Sequence, residues 1–284
     1  MSAQAQAGNA RADEDVQPDG RGEPRDGSRK GNSPRGRSPW LSVLSVACGL
    51  AAWEFLAGYV FPSIFIPSLS QVLERGYELV LNGEIFLHTW ASIKRILTGF
   101  LIGSAIGAPV GLLMGSIPTV RRVADPYIQF FRFIPSIAWL TPAVIWFGIG
   151  EMSKVIIILY TTVFIVVINT AVGVASIPPN KIWAARMLGA NARQVFFLVI
   201  VPATMPYILT GMMLAMGSSF TAVVAAEMVG AEEGLGYLIS NSRLWMDTRA
   251  IFLAILVVGF LGFTIDLLFR RLIRRFAGRY GAFS

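Results

Sequence analysis

Residues 96–117 read ILTGFLIGSAIGAPVGLLMGSI, a run of 22 residues without a charge. As a helix this run is about 33 Å long, enough to cross the hydrocarbon core of a bilayer. Within it Gly99, Gly103, Gly107, Gly111 and Gly115 recur at every fourth position. Residues four apart share a helix face, so these glycines strip one face of side chains and let another helix approach backbone to backbone. In lipid no hydrophobic force draws helices together, and such close approach is what holds them. The segment sets the fold class: all-α and membrane-spanning. A barrel strand would show about ten residues of alternating polarity instead.

Working outward, five more stretches meet the length of about 20 apolar residues that a span needs: about 40–61, 126–149, 154–176, 205–229 and 250–270. Composition agrees, with 54% hydrophobic and only 14% charged residues, against about a quarter charged in soluble domains. A polytopic protein of six transmembrane helices is expected over residues 39–284. Residues 1–38 hold seven Arg or Lys and six Asp or Glu among Gly, Pro and Ser, which predicts a disordered cytoplasmic tail. Between the first two spans, Ser68 and Gln71 are spaced as a capping box. Val72, Leu73, Tyr77 and Val80 follow at helical spacing, which predicts a short amphipathic helix on the outer surface.

Lys and Arg at the ends of the spans set the orientation. With both termini inside, the cytoplasm receives Arg121, Arg122, Lys181, Arg186, Arg193, Arg270, Arg271, Arg274, Arg275 and Arg279, besides the seven of the tail. The outside receives Arg75, Lys94, Arg95, Lys154, Arg243 and Arg249. These positions also account for the basic isoelectric point, near 9.9, without a nucleic-acid partner. The single cysteine, Cys48, has no partner, and the single histidine, His88, has no companion ligands, so neither a disulfide framework nor a metal site is expected. No phosphate-binding G-x-x-x-x-G-K-[ST] loop occurs, so energy for uphill transport must enter through another protein. An ion-gradient-driven secondary transporter is the alternative, and it calls for intramembrane acidic or histidine relays and inverted repeats that the sequence does not display. A membrane-embedded assembly subunit without a pathway is a second alternative.

Two ionisable residues lie within apolar runs. Arg132, about two turns into the third span, is a gate or coupling residue, or an anchor within snorkelling reach of the cytoplasmic surface. Glu227, near the end of the fifth span, is read as a hydrogen-bonding group toward a neighbouring helix or as part of a gate. Glu151 and Lys154 are spaced for a surface ion pair. The glycine stripe is read as a helix-packing face.

Residues 178–203 separate the fourth and fifth spans. After Pro178-Pro179-Asn180 comes Trp183-Ala184-Ala185-Arg186-Met187-Leu188-Gly189-Ala190, and the segment ends Val199-Ile200-Val201-Pro202. This resembles the cytoplasmic coupling motif of binding-protein-dependent ABC permeases: Glu-Ala-Ala, three residues, Gly, nine residues, then Ile-x-Leu-Pro. Trp183 stands where the family has Glu. Ile134-Pro135, Trp146-Phe147-Gly148, Ala226-Glu227-Met228 and Gly234-Leu235-Gly236 extend the resemblance over about residues 60–275, and together look most like the nitrate/sulfonate/taurine branch. The resemblance implies the type I importer (MetI-like) permease fold in the cytoplasmic (inner) membrane. It implies an ATPase subunit, carrying ATP and Mg²⁺, docked on Trp183, Ala184, Ala185, Gly189, Ala190 and Pro202. This chain would then be no enzyme and carry no cofactor of its own. It also implies an extracytoplasmic solute-binding protein, a second permease copy as a homodimer, and a small nutrient such as nitrate, a sulfonate or taurine as substrate.

Overall fold

The computed structural model describes residues 39–277, and the elements among them are helical. The tail expected over 1–38 lies outside the described residues. All packing described below lies within the unit that begins at Ala47.

α1 (Pro39–Phe55) is prolonged by a wide turn at Leu56–Val60, where Phe61 N–H reaches back to the Leu56 carbonyl. Pro62 follows. A second wide turn, Phe196–Ile200, precedes Pro202. Proline lacks the N–H that a helix needs and its ring crowds the carbonyl four residues back, so a locally wider helix ahead of it relieves both problems. α2 (Leu69–Leu81) starts at the expected capping box of Ser68 and Gln71. Only Val72 of the four expected apolar positions is buried. Leu73, Tyr77 and Val80 are exposed, because α2 turns Val72, Gly76 and Leu79 toward a later helix instead.

α3 (Glu84–Ser116) starts well before the apolar run because its first three turns are clad in protein, burying Ile85, His88, Ala91, Ser92 and Arg95. α3 packs along α6 (Glu151–Ala175) through the glycine stripe. A methyl on Gly99 would lie 2.6 Å from Ile158 Cβ, one on Gly103 2.7 Å from Thr162 Cβ, and one on Gly111 2.6 Å from Thr170 Cβ. Gly107 meets Val166 and Gly115 meets Val174 in the same way. Contacts climb by four on both helices together, so the two run parallel.

That direction settles the connection between them. The expected third span, 126–149, is not one helix. It is α4 (Pro118–Phe131) and α5 (Leu140–Phe147), joined through a tight turn at Ser136–Trp139 and bent by 91°. Because α3 and α6 are parallel, the chain must return across the bilayer between them, and the bent pair makes that crossing. With five straight candidate spans, the total is six.

α7 (Pro179–Met187) and the single turn α8 (Ala192–Val195) lead into α9 (Val201–Gly230). α9 runs antiparallel to α6: Thr162 faces Ser219, Asn169 faces Gly211, and Gly173 faces Tyr207. α10 (Leu235–Leu244) and α11 (Thr248–Ala277) close the chain, α11 packing on α2 with Arg75 bonded to Asp247 at 2.9 Å. The core lies among α3, α5, α6 and α9, around Ile96, Phe100, Leu140, Ile157, Met216 and Val223. Large apolar residues on the outer faces, such as Leu101, Ile106, Phe260 and Phe263, are exposed, as lipid contact requires.

Candidate functional site: an exposed knob, a polar clasp and a broken span

Three features occupy three depths along the helices. At one end, between α6 and α9, α7 buries none of its residues. Its helix ends at Gly189, with φ of +85°. Gly189 N–H bonds to the Arg186 carbonyl and Ala190 N–H to the Ala185 carbonyl, the two bonds by which a left-handed residue closes a helix. Asn191 then starts the next turn, with Gln194 completing a capping box. The result is a short helix, a hard stop and a second start, all internally hydrogen-bonded. Trp183 is 64% exposed, Met187 88% and Leu188 89%, so the knob presents large apolar side chains with nothing over them. Ala184 and Gly189 are exposed beside them, Ala185 and Ala190 half-buried, and Pro202 sits half-buried at the start of α9.

At the opposite end, the first turns of α3 and α6 meet the last turn of α9 in a clasp. Glu227, 1% exposed, accepts from Ser92 Oγ at 2.9 Å, from Arg95 Nη1 at 2.7 Å and from Gly236 N–H at 2.9 Å. Arg95, 3% exposed, forks onto both oxygens of Glu151 at 2.5 and 2.7 Å and donates to the Glu233 carbonyl at 2.6 Å. Ser92 Oγ accepts from Leu235 N–H, and His88 Nδ1 from Gly234 N–H. Gly234 has φ of +124°, and a side chain there would strike the Glu227 carboxylate. Burial without partners would be prohibitive for either charge, but each has several. One guanidinium thus ties together α3, α6, α9 and the 231–234 turn.

The expected hydrogen bond from Glu227 to a neighbouring helix is present, and its partners were not foreseen. Arg95 and Lys154, counted above among the outside charges, are buried, and so is His88. Glu151 does face Lys154, at 3.6 Å, but its main partner is Arg95. Arg95 sits at the edge of an apolar run, and the residues it pairs with lie 56 and 132 positions away. An arginine followed by a glycine stripe is the only local hint that α3 continues upstream into protein rather than water.

Between the two ends, Arg132 caps α4 at the break. α4 begins eight residues before the expected span, so Arg132 follows 14 helical residues, about 21 Å of rise. The neighbouring Phe131 carbonyl accepts from the Tyr160 hydroxyl. Tyr160 stands nine residues after the start of the 25-residue α6, about 14 Å along it. Both measures put Arg132 near mid-depth, beyond snorkelling reach of the end where α4 starts. It borders a cavity of about 450 Å³ with Phe133, Ser136, Tyr160 and Thr161. The glycine stripe, the clasp, the knob and Arg132 are therefore separate features on one scaffold. Among the described residues, no cluster of potential metal ligands occurs.

Residues 107–278 match the family described as the binding-protein-dependent transport system inner membrane component. The chain is 38% identical over 235 residues to the "probable ABC transporter permease protein" of Brucella melitensis, covering 83% of this chain and 95% of that one. It is 36% identical over 255 residues to the taurine transport system permease protein of Escherichia coli, covering 87% and 92%. Against the nitrate import permease protein of Synechocystis the figures are 32% over 233 residues, with 79% and 84% covered. In structure it is similar to a chain of the inward-facing MetNI methionine ABC transporter, with a TM-score of 0.56 at 20% identity over 66% of this chain and 93% of that one. Six crossings, a parallel glycine-packed pair and a closed-off knob between the fourth and fifth thus belong to a multi-pass membrane protein of the binding-protein-dependent ABC transporter permease family.

Proposed function

We propose that this chain forms half of the translocation pathway of an ATP-driven importer and works as a homodimer. The 178–203 knob seats in a groove of a separate ATPase subunit in the cytoplasm, and an extracytoplasmic solute-binding protein delivers the solute. The observation that carries this is the knob: rigid, hydrogen-bonded within itself, and apolar at Trp183, Met187 and Leu188, the kind of surface that a protein partner covers. Trp183 fits this role as an apolar contact where the related motif has a carboxylate.

Orientation follows from the charges. With Arg95 and Lys154 inside the clasp, the six outside basic residues fall to four, against nine among the described residues at the knob end, which favours a cytoplasmic knob and cytoplasmic termini. ATP and Mg²⁺ belong to the partner subunit. The relatives named for taurine and nitrate favour a small nutrient with an oxyanion group: nitrate, a sulfonate or taurine.

The mechanism follows from where the pieces are joined. The knob connects α6 directly to α9, and the glycine stripe couples α6 to α3. At the far end, Arg95 holds the same three helices together. A push on the knob therefore moves α3, α6 and α9 as one body about their clasped ends. ATP binding needs only to favour the closed ATPase dimer to shift the balance between inward- and outward-facing states. In membranes holding the assembled transporter, a Met187→Cys variant should crosslink to the ATPase subunit, and ATP should change the yield. Absence of any crosslink from Met187→Cys and Trp183→Cys alike would contradict the docking assignment.

A further inference from the structure

The polar residues of α4 follow one side of the helix. Arg121, Asp125, Gln129 and Arg132 come at steps of four, four and three, which keeps them on one face. Two cavities lie between this face and α6. One, of about 190 Å³, is bordered by Arg121, Asp125 and Gln129 together with Ile168 of α6. The other, of about 450 Å³, is bordered by Arg132, Ser136, Tyr160, Thr161 and again Ile168. Both border Ile168, and between their largely apolar walls the α4 face makes a track of polar side chains from the knob end to the broken span.

Arg132 stands at the head of that track. Among the described residues no carboxylate is within ion-pair distance of it, and its guanidinium lies 4.8 Å from the centre of the Phe133 ring. A charge at this depth is costly unless water or a counter-ion meets it, and intramembrane cations mark solute paths for that reason. The break supplies the opening, since backbone can leave the helix at this depth only beside protein or a water-filled cavity. Tyr160 and Thr161 donate their hydroxyl protons to the Phe131 and Ile157 carbonyls. That leaves the guanidinium and the Ser136 hydroxyl as the donors facing the cavity.

We infer that this cavity is the mid-membrane binding site of an anionic solute, with Arg132 holding an oxyanion group of the nitrate or sulfonate class. This rests on the reading of the chain as the permease of an importer for such solutes. Guanidinium is the side chain suited to the task, since its planar fork presents paired N–H donors to two oxygens at once and keeps its charge at any working pH. A volume of about 450 Å³ falls among those of small-molecule sites, about 300–1,000 Å³, and accommodates a short alkylsulfonate or a hydrated nitrate. Asp125, two turns toward the knob end, repels the same anion and keeps the hold weak enough for release, as a conducting site requires.

The test uses the complete transporter, with its ATPase and solute-binding protein, in liposomes. The permease carries Cys48→Ser, to remove the exposed native thiol, and Thr161→Cys as a reporter, at a cavity-lining residue whose hydroxyl is already given to the Ile157 carbonyl. Modification by a sulfonatoethyl methanethiosulfonate is timed with and without taurine, ethanesulfonate or nitrate, and ATP-driven import of the same anions is measured in vesicles of the unsubstituted chain. The thiol should react, an imported anion added at about ten times its dissociation constant should slow the reaction about tenfold by occupying the site, and adding Arg132→Gln should abolish that protection while Arg132→Lys keeps part of it. An unreactive thiol, no protection by an anion that the vesicles import, or undiminished protection with Arg132→Gln would overturn the site. Vesicles that import none of the three anions would instead overturn the reading beneath it.

Discussion

At the scale of single residues, the clasp shows how a charged group can be both buried and useful. Glu227 has three donors, two from α3 and one from α10, and Arg95 satisfies two carboxylates and a carbonyl. Removing one partner of such a pair strands the other, which costs about 3–5 kcal/mol. Glu227→Leu should therefore lower the thermal unfolding midpoint of the purified chain in detergent by several degrees. Glu151→Gln should lower it far less, because that carboxylate is exposed and its contribution is screened. Equal effects from the two would show that Arg95 is anchored mainly at the surface. Glu227 could be recognised in the sequence as a buried polar group, since a carboxylate in an apolar run has few options. Arg95 could not, because only the fold brings residues 95, 151 and 227 together. Gly189 was legible as a turn through the spacing of its motif, and its φ of +85° gives the physical reason for it.

At the scale of elements, the glycine stripe carried the most information. Its period of four in residues 99–115 announces a helix with one bare face, and the structure matches it with a period of four on α6, from Ile158 to Val174. Gly107→Leu would force the side chain into Val166 and the Val163 carbonyl, and such overpacking costs about 1–3 kcal/mol. The same substitution at Gly259, where nothing lies within 4 Å, should leave the unfolding midpoint unchanged or slightly raised. Loss of stability at both sites would mean that bulk alone, and not the α3–α6 contact, is responsible. The broken span was not legible. Residues 126–149 are predominantly apolar, and hydropathy sums composition without registering direction, so a bend of 91° leaves no mark in it. Pro135 and Pro142 were the available signal, being residues at which helices end or bend.

At the scale of the whole molecule, six crossings follow from the parallel course of α3 and α6, and transport follows from what joins them. The knob is an extension of α6 and α9 whose leading helix, α7, buries none of its residues, and the clasp fixes the far ends of the same helices. Force applied at the knob is thus carried through about 30–40 Å of helix rather than absorbed in a loop. The central claim is that this chain moves solute only when an ATPase pushes on residues 178–203. Its most direct test is ATP-driven uptake in proteoliposomes holding the permease, its ATPase and its solute-binding protein, comparing the unsubstituted chain with Gly189→Pro. Proline cannot adopt φ of +85° and lacks the N–H that Gly189 donates to the Arg186 carbonyl. The variant should insert and assemble, and should continue to hydrolyse ATP while uptake per ATP falls toward background. Uptake coupled as in the unsubstituted chain, or uptake by the permease alone under an ion gradient, would contradict the account.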